Sequence, residues 1–147
     1  MQNSKAKLPS SILFVCNFNA VRSPMAEAIT KNKCGDKIYV DSIGVNEKLS
    51  KINPFAVAVM EEIGIDLSNH KAQDFDDLND NSFDLIIAFS PEAHKRALEL
   101  TEGHSTDVEY WPMDDPTGTE GNRENILSAF RSLRDALVRK IKERLEC

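Results

Sequence analysis

The chain has 147 residues and lacks the long apolar segments that mark membrane and secreted proteins. No apolar run approaches the roughly 20 residues that are needed to cross a bilayer. Residues 1–9 also lack the apolar core of a secretory signal. We therefore expect a cytoplasmic protein with no membrane contact. Residues 1–10 are predicted to be a loose N-terminal leader, and residues 11–147 a single α/β domain.

Positive charge is also scarce, because 18 Lys and Arg residues stand against 24 Asp and Glu residues and leave a net charge of −6. Surfaces that bind nucleic acid are strongly basic, so we expect no nucleic-acid partner. A binding site for an anion must then depend on a few local groups rather than on the overall charge.

Cysteine is also scarce in this sequence. The three cysteines, Cys16, Cys34 and Cys147, are separated by 18 and 113 positions, a spacing that matches neither a disulfide framework nor a zinc site. The cysteines therefore do not predict a metal site, and we expect neither a metal nor a cofactor in this protein. Cys34 and Cys147 are predicted to be unpaired thiols without a catalytic role, and a reducing compartment agrees with this cysteine usage.

The strongest positive signal is the stretch Cys-Asn-Phe-Asn-Ala-Val-Arg-Ser-Pro from Cys16 to Pro24. It follows the apolar run 11–15 and precedes an amphipathic segment, 23–33. This order predicts a tight loop between a buried strand and a helix. Such loops bind anions in α/β proteins, because the first turn of the helix offers unpaired N–H groups and the positive end of its dipole.

The spacing of Cys16 and Arg22 predicts catalysis at this loop. Five residues between them allow the backbone to curl around one tetrahedral oxyanion, and the Arg22 guanidinium can clamp it with two parallel hydrogen bonds. These positive groups favour a nucleophilic thiolate at Cys16, with the Ser23 hydroxyl near its sulfur. The predicted phosphate-binding residues are Asn17, Phe18, Asn19, Ala20, Val21, Arg22 and Ser23. The alternative is a buried structural cysteine in an ordinary turn, with Arg22 in solvent.

Strand and helix patterns alternate through the rest of the chain. Further strands are predicted over 37–43, 83–89 and 107–111, and further helices over 54–64, 91–103 and 123–145, with Asn53 and Ser90 as N-caps. The acidic segment 74–82 is predicted to be solvated. The alternation predicts an α/β three-layer sandwich, in which a four-stranded parallel sheet has helices on both faces. The apolar stripe of the last helix indicates core packing, with a partner-binding face as the alternative.

Asp115 is a candidate acid at the same edge of the sheet. It follows the fourth predicted strand, and the carboxyl ends of parallel strands lie together. A departing alkoxide needs a proton, which a carboxylic acid above the loop can donate, and Pro116 restricts the backbone of Asp115. An ordinary Asp-Pro turn is the alternative. His70, beside Lys71, is predicted to be a surface or capping residue rather than a base.

The loop resembles that of the low-molecular-weight protein tyrosine phosphatase superfamily, which includes the thioredoxin-coupled arsenate reductases. The family loop is roughly Cys-x-Gly-Asn-x-Cys-Arg-Ser-Pro, and the matching residues are Cys16, Asn19, Arg22, Ser23 and Pro24. The resemblance covers nearly the whole chain from residue 11. It implies a four-stranded parallel sheet and a metal-independent phosphatase for phosphate monoesters, above all phosphotyrosine in protein. The implied roles are nucleophile for Cys16, phosphate clamp for Arg22, loop support for Asn19 and Ser23, and general acid for Asp115.

Four positions depart from the family pattern. Phe18 stands where glycine is usual, so the loop must accept a bulky side chain, which is expected at the rim of the pocket. Val21 replaces the second cysteine of the loop, which excludes a protective disulfide with Cys16 there. Thr117 and Gly118 follow Asp-Pro, where phosphotyrosine enzymes of the family usually carry an aromatic pair. An aromatic wall would then have to come from Phe18.

The segments 53–57 and 64–68 look like the arsenate reductase branch, and arsenate is nearly isosteric with phosphate. That reaction needs resolving thiols after the third strand, but Ser90 stands near the expected position and residues 90–103 contain no cysteine. The alternatives to a phosphatase are therefore an arsenate reductase resolved by an external thiol such as glutathione, or a non-catalytic anion-binding module. The expected partner is a phosphorylated protein or a small phosphate monoester, and the expected state is a monomer or weak dimer.

Overall fold

A computed structural model describes residues 8–78 and 82–147, in which strands and helices alternate. The strands are β1 (Ser11–Cys16), β2 (Tyr39–Gly44), β3 (Leu85–Ala88) and β4 (Asp107–Tyr110), and the α-helices are α1 (Arg22–Cys34), α2 (Pro54–Glu61), α3 (Pro91–Leu100) and α4 (Arg123–Arg144). Short 3-10 turns cover Gly35–Lys37, Phe75–Asp77 and Pro116–Gly118. Every predicted strand and helix is present, with ends that differ by a few positions. Residues 1–7 of the predicted leader and 79–81 of the acidic segment lie outside the described residues.

The four strands form one parallel sheet in the order β2-β1-β3-β4. Cys16 at the end of β1 pairs with Gly44 at the end of β2, and Ala88 at the end of β3 pairs with Val15 and Tyr110. Because all strands point the same way, the loops that follow them meet at one edge of the sheet. The loop after Cys16 lies at this edge, and the predicted parallel α/β fold is confirmed.

Helices cover both faces of the sheet. Alternate residues of β1 point to opposite faces. Ile12 and Phe14 pack in the larger apolar cluster with buried residues of α1, α2 and α4, whereas Leu13 and Val15 pack in a second cluster with alanines of α3. The predicted three-layer arrangement is therefore confirmed. Within the described residues, no helix is both long and apolar enough to cross a membrane.

The apolar stripe of α4 packs inside the protein. Phe130, Leu133, Leu137 and Ile141 are buried in the larger cluster. Their spacing of three or four positions places them on one side of the helix, which packs against α1 and α2. Core packing, the simpler of the two interpretations of this stripe, is confirmed.

Side-chain caps fix where α2 and α3 begin. Asn53 Oδ1 accepts a hydrogen bond from the N–H of Phe55 at 2.8 Å, and Ser90 Oγ accepts one from the N–H of Ala93 at 3.1 Å. Each cap satisfies an N–H group that has no partner within the helix. Both predicted caps are confirmed, and both helices begin near the edge that carries the Cys16 loop.

The last part of the predicted leader contacts the sheet. The Ser10 N–H donates to Asp84 Oδ2 at 2.7 Å, and the Ser10 carbonyl accepts from the N–H of Tyr39 at 2.9 Å. Leu8 packs against the larger apolar cluster. Residues 8–10 are therefore attached beside the start of β1.

Cys34 and Cys147 are joined in a disulfide, with their Cα atoms 5.2 Å apart, inside the range that such a bond requires. The prediction of two unpaired thiols is wrong. The pairing arises because α1 and α4 pack against each other, which brings the C-terminal end of α1 close to the residues that follow α4. The spacing of cysteines along the chain cannot show this proximity. Cys16 is the free cysteine of the described residues.

We expect this disulfide to stabilise the fold. A bond that closes a separation of 113 residues restricts the unfolded chain, and such bonds contribute about 2–4 kcal/mol. For a chain of this size, removing the bond should lower Tm by roughly 5–15 °C. Calorimetry should show this fall for Cys147→Ser without reductant and for wild type with dithiothreitol. Cys16→Ser is the control and should keep the response to dithiothreitol. Equal Tm values for oxidised and reduced wild type would contradict the prediction.

Candidate active site

A cavity of about 220 Å³ opens at the carboxyl edge of the sheet, beside the end of β1. Its walls come from the Cys16 loop (residues 16–23), the segment after β2 and the turn after β4. The lining residues are Cys16, Phe18, Ala20, Val21, Arg22, Ser50, Lys51, Asn53, Asp115 and Thr117. The structure thus brings the three predicted catalytic residues, Cys16, Arg22 and Asp115, around one space.

The backbone of the Cys16 loop has its carbonyl groups turned outward. Four of them accept hydrogen bonds from N–H groups of the segment 45–53, at 2.8–3.4 Å. These carbonyls belong to Cys16, Asn17, Phe18 and Ala20. In a trans peptide the C=O and the following N–H point in opposite directions, and the described residues contain no cis peptide. The N–H groups at positions 17, 18, 19 and 21 therefore point toward the centre of the loop and form a cradle for an oxyanion.

Cys16 is buried, with its sulfur 2.8 Å from the Ser23 hydroxyl. Asn19 Nδ2 donates to the same hydroxyl oxygen at 2.9 Å, so one acceptor position of that oxygen is used and its O–H can point at the sulfur. The Ile43 carbonyl, at 3.3 Å, is a longer alternative acceptor. Ser23 is therefore placed to donate a hydrogen bond to the sulfur.

Asn19 holds the loop from behind. Its side-chain NH₂ donates to Ser23 at 2.9 Å and to Ser42 at 3.0 Å. Its side-chain oxygen accepts from His70 Nε2 and from the N–H of Gln73, both at 2.9 Å. All four hydrogen-bonding positions of the amide are used. The φ of Asn19 is 56°, in the left-handed region that asparagine enters more readily than most residues.

The network behind the loop continues into β2 and α1. Ser42 Oγ donates to Glu27 Oε1 at 2.5 Å, and Glu27 Oε2 pairs with Lys31 Nζ at 2.6 Å. Gln73 Nε2 donates to the Asp41 carboxylate and, at 3.0 Å, to the Ser42 carbonyl. The position of Asn19 is therefore fixed by hydrogen bonds that connect it to β2 and, through Ser42, to α1.

The prediction of His70 as a surface or capping residue is wrong, because the ring is half-buried and bonds to Asn19. Burial is the largest influence on this ring and lowers its pKa, while the Glu27 carboxylate and the bond to Asn19 oppose that shift. A neutral ring that carries its proton on Nε2 is the donor that the Asn19 oxygen needs. His70 does not line the cavity, so its contribution is to the position of the loop.

Gly44 allows the loop to lie directly against the end of β2. A Cβ atom at this position would be 2.8 Å from backbone atoms of both Phe18 and Asn19. Backbone atoms that close can separate only if the loop itself moves. The Gly44 N–H also donates to the Gln73 carbonyl at 2.9 Å, so the strand end, the loop and residue 73 are in direct contact.

Arg22 begins α1 and contacts the segments that follow β3 and β4. Its Nη1 donates to the carbonyls of Met113 at 2.9 Å and Phe89 at 3.4 Å, and its side chain is 7% exposed. A guanidinium has five N–H groups, so the remaining ones are available to an anion in the cavity that Arg22 lines. The two carbonyls hold the guanidinium in one orientation.

Asp115 faces Arg22 from the turn after β4. Its Oδ1 accepts from the N–H and the hydroxyl of Thr117, at 3.0 and 2.8 Å, and its Oδ2 lies 3.7 Å from Arg22 Nη2. The Asp-Pro turn given above as the alternative is present, since Asp115 caps the 3-10 turn Pro116–Gly118. This turn fixes the direction of the carboxyl group and leaves Oδ2 toward Arg22. The side chain is 33% exposed, so water can reach it.

The other predicted phosphate-binding residues serve the loop in different ways. Asn17 Oδ1 accepts from Ser90 Oγ at 2.6 Å, so this side chain ties the loop to α3. Phe18 is 36% exposed and stands at the rim of the cavity. Among the described residues, Asn19 is the non-glycine residue with a positive φ. The φ of Phe18 is therefore not in the left-handed region, and a bulky residue can stand at this position, where the family usually has glycine, without backbone strain. The two small apolar residues after Asn19 are buried in the cavity wall.

The second wall of the cavity was not predicted from the sequence. Ser50, Lys51 and Asn53 line it from the segment between β2 and α2, a polar connection without periodicity. Ser42 was also missed. A hydroxyl inside a predicted strand is a usable signal, because such a group needs a partner when it is buried, and Ser42 is fully buried. In residues 8–78 and 82–147, no three His, Cys, Asp or Glu side chains are grouped to hold a metal ion.

Known proteins resemble this chain over most of its length. Residues 11–146 match the family model described as low molecular weight phosphotyrosine protein phosphatase. An arsenate reductase of Bacillus subtilis is 34% identical over 132 residues, which are 90% of this chain and 92% of that protein. A glutaredoxin arsenate reductase of Synechocystis is 32% identical over 135 residues, 92% of each. The resemblance inferred from the loop is confirmed.

A solved structure with little sequence similarity has the same fold. The tyrosine phosphatase of Erwinia amylovora superposes with a TM-score of 0.74 over 94% of this chain and 92% of its own. The two sequences are 20% identical, so this likeness concerns the fold alone. The four-stranded parallel sheet with its flanking helices is therefore common to both chains.

We expect Gly44→Ala to weaken phosphate binding at the loop. The new methyl group would meet the loop backbone, and the cradle N–H groups would move with it. Affinity for inorganic phosphate, measured by calorimetric titration, should fall about tenfold or more, comparable to the loss of one hydrogen bond to a charged group.

Gly118→Ala is the matched control for this substitution. A Cβ at position 118 meets no atom within 4 Å, so its phosphate affinity should equal that of wild type. Unchanged affinity in Gly44→Ala would contradict the tight packing of the loop against β2.

Proposed function

We propose that this chain, which belongs to the low molecular weight phosphotyrosine protein phosphatase family, hydrolyses phosphate monoesters through a cysteinyl-phosphate intermediate. Members of the family and the related arsenate reductases are enzymes, and so is this chain. The observation that carries the proposal is the single cavity lined by Cys16, Arg22 and Asp115. A module that only bound anions would need neither a nucleophile nor an acid, so we set that alternative aside.

In the first step, the loop N–H groups and Arg22 bind the phosphoryl oxygens. The Cys16 thiolate attacks phosphorus, and an S–P bond forms as the P–O bond to the leaving group breaks. Asp115 gives its proton to the departing oxygen through Oδ2, the oxygen that Thr117 does not hold. This step yields the free alcohol or phenol and phosphorylated Cys16.

In the second step, water hydrolyses the intermediate. The Asp115 carboxylate, which is partly open to solvent, takes a proton from the water as the water oxygen attacks phosphorus. The S–P bond breaks and the sulfur leaves as a thiolate, which the Ser23 hydroxyl at 2.8 Å stabilises. Inorganic phosphate departs, and Asp115 is again protonated for the next cycle.

Phosphotyrosine in protein is the substrate class that we propose, with small phosphate monoesters as further substrates. The phenol ring of phosphotyrosine can pack on Phe18 at the rim of the cavity. Phe18 is the aromatic residue among those that line the cavity, and Thr117, which also lines it, is polar, so the ring has one aromatic wall rather than two. A phenyl ester should therefore be preferred over an alkyl ester by a modest margin.

Arsenate reduction is the second candidate function, and the 34% identity to an arsenate reductase favours it. Arsenate fits the same cradle as phosphate, and Cys16 would attack arsenic with loss of water. An external thiol would then attack the Cys16 sulfur, so that arsenite leaves and a mixed disulfide remains. A second thiol would reduce that disulfide, and the two thiols together supply the two electrons that arsenic gains.

The chain offers no internal thiol for this second reaction. Ser90, near the loop, carries a hydroxyl that donates to Asn17. Cys34 is bonded to Cys147 and lies at the far end of α1, whose 13 residues extend about 20 Å. A reductase reaction would therefore depend on an external thiol, in agreement with the Synechocystis relative named a glutaredoxin arsenate reductase.

We also propose a cytoplasmic location, where reducing conditions keep the Cys16 thiol available. The same conditions would favour opening of the disulfide between Cys34 and Cys147, so the fold must be stable without it. The monomer or weak dimer expected from the sequence stays a prediction.

The first test is hydrolysis of p-nitrophenyl phosphate with EDTA present, from mildly acidic to neutral pH. Wild type should release nitrophenolate, and Cys16→Ser should lower kcat by about a thousandfold or more, because a serine hydroxyl is a far weaker nucleophile than a thiolate. No hydrolysis by wild type, together with reduction of arsenate when glutathione is added, would replace the phosphatase by the reductase. Equal rates in both proteins would remove Cys16 as the nucleophile.

Asp115→Asn tests the acid role separately. Hydrolysis of phenyl phosphate should slow about 100-fold or more, because phenolate leaves poorly without a proton. Hydrolysis of p-nitrophenyl phosphate should slow much less, since nitrophenolate is stable unprotonated. Asp114→Asn changes the neighbouring exposed carboxyl group, which does not line the cavity, and both of its rates should match wild type. Equal losses for the two esters in Asp115→Asn would exclude it as the general acid.

A further inference from the structure

Lys51, at the rim of the cavity, is a charged residue that has no role in the proposed reaction. The charged residues that line the cavity are Arg22, Asp115 and Lys51. Arg22 and Asp115 act on the phosphoryl group and the leaving oxygen. Lys51 is exposed, and among residues 8–78 and 82–147 no carboxylate pairs with it within 4.0 Å. A positive charge without a partner is therefore present at the entrance.

The backbone of Lys51 is held close to the Cys16 loop. The Ser50 N–H donates to the Phe18 carbonyl at 3.4 Å, and the Asn53 N–H donates to the Ala20 carbonyl at 3.0 Å. Asn53 also caps α2. Lys51 lies between these two attachments, so its backbone keeps a fixed distance from the cradle while its long side chain stays exposed at the rim.

The size of the cavity decides which part of a substrate meets Lys51. At about 220 Å³, the cavity is smaller than the roughly 300–1,000 Å³ of pockets that enclose a whole drug-sized ligand. It holds the phosphoryl group and the atoms next to it. The rest of the substrate must cross the rim, where Phe18 and Lys51 are exposed.

We propose that Lys51 binds a carboxylate of the substrate, so that preferred substrates are phosphate monoesters with an acidic group beside the phosphoryl-bearing residue. This inference rests on the phosphatase function proposed above. The net charge of the protein is −6, so its overall electrostatic field repels acidic substrates and cannot produce this preference. A preference for acidic neighbours would therefore have to come from a local cation, and Lys51 is the one at the entrance.

The test compares two phosphotyrosine peptides that differ only in a Glu or a Gln next to the phosphotyrosine. Their leaving groups are the same, so the comparison isolates binding at the rim from chemistry. Turnover is measured as kcat/KM with wild type, and affinity is measured by fluorescence polarisation with Cys16→Ser, which needs no turnover. Both measurements are repeated in the Lys51→Gln background. Lys48→Gln is the matched control, since Lys48 is exposed in the same segment but does not line the cavity.

The Glu peptide should be preferred by up to about fivefold at low ionic strength, the range expected for an exposed ion pair, and less in high salt. Lys51→Gln should bring the ratio of the two peptides to about one, whereas Lys48→Gln should leave it unchanged. Equal affinities in the Cys16→Ser protein, or a preference that survives in Lys51→Gln, would overturn the assignment. Absence of turnover in wild type, with the binding preference intact, would instead overturn the phosphatase function alone.

Discussion

The cradle for an oxyanion depends on the side chain of Asn19. Several N–H groups that point at one centre repel each other when no anion is present, because each carries a partial positive charge. The left-handed φ of 56° adds a further cost. Four hydrogen bonds of one buried amide offset both effects, and each unmet bond there would cost about 1–3 kcal/mol. The loop is therefore formed before an anion arrives, as electrostatic catalysis requires.

The need to support Asn19 explains the composition of the end of β2. This strand has a buried hydroxyl at Ser42, where the Asn19 amide needs an acceptor, and no side chain at Gly44, where the loop passes. A strand used only for the core would carry branched apolar residues at such positions. His70 and Gln73 then arrive from the connection after α2 and occupy both acceptor positions of the Asn19 oxygen.

The sequence predicted the loop residues and Asp115, but it predicted neither the partners of Asn19 behind the loop nor the second wall of the cavity. Cys16 and Arg22 share one local pattern of strand, loop and helix, and parallel topology alone brings Asp115 to the same edge. The contact of His70 with Asn19 depends on how the irregular segment after α2 folds. The residues next to His70 in the sequence do not indicate this contact. The same holds for Cys34 and Cys147, because only the packing of α4 on α1 brings them together.

The two sides of the loop also differ in how much change they tolerate. Behind it, any lost bond leaves a buried polar partner unsatisfied, so substitutions there affect folding and binding together. At the rim, Phe18, Lys51 and Thr117 are exposed, and an exposed ion pair contributes at most about 1 kcal/mol, so substitutions there can alter substrate choice with little effect on folding. In the reaction that we propose, the reactant that follows the attack by Cys16 must also pass the rim. The identity of that reactant, water or a thiol, is what separates the proposed phosphatase from an arsenate reductase, a class in which one relative is 34% identical to this chain.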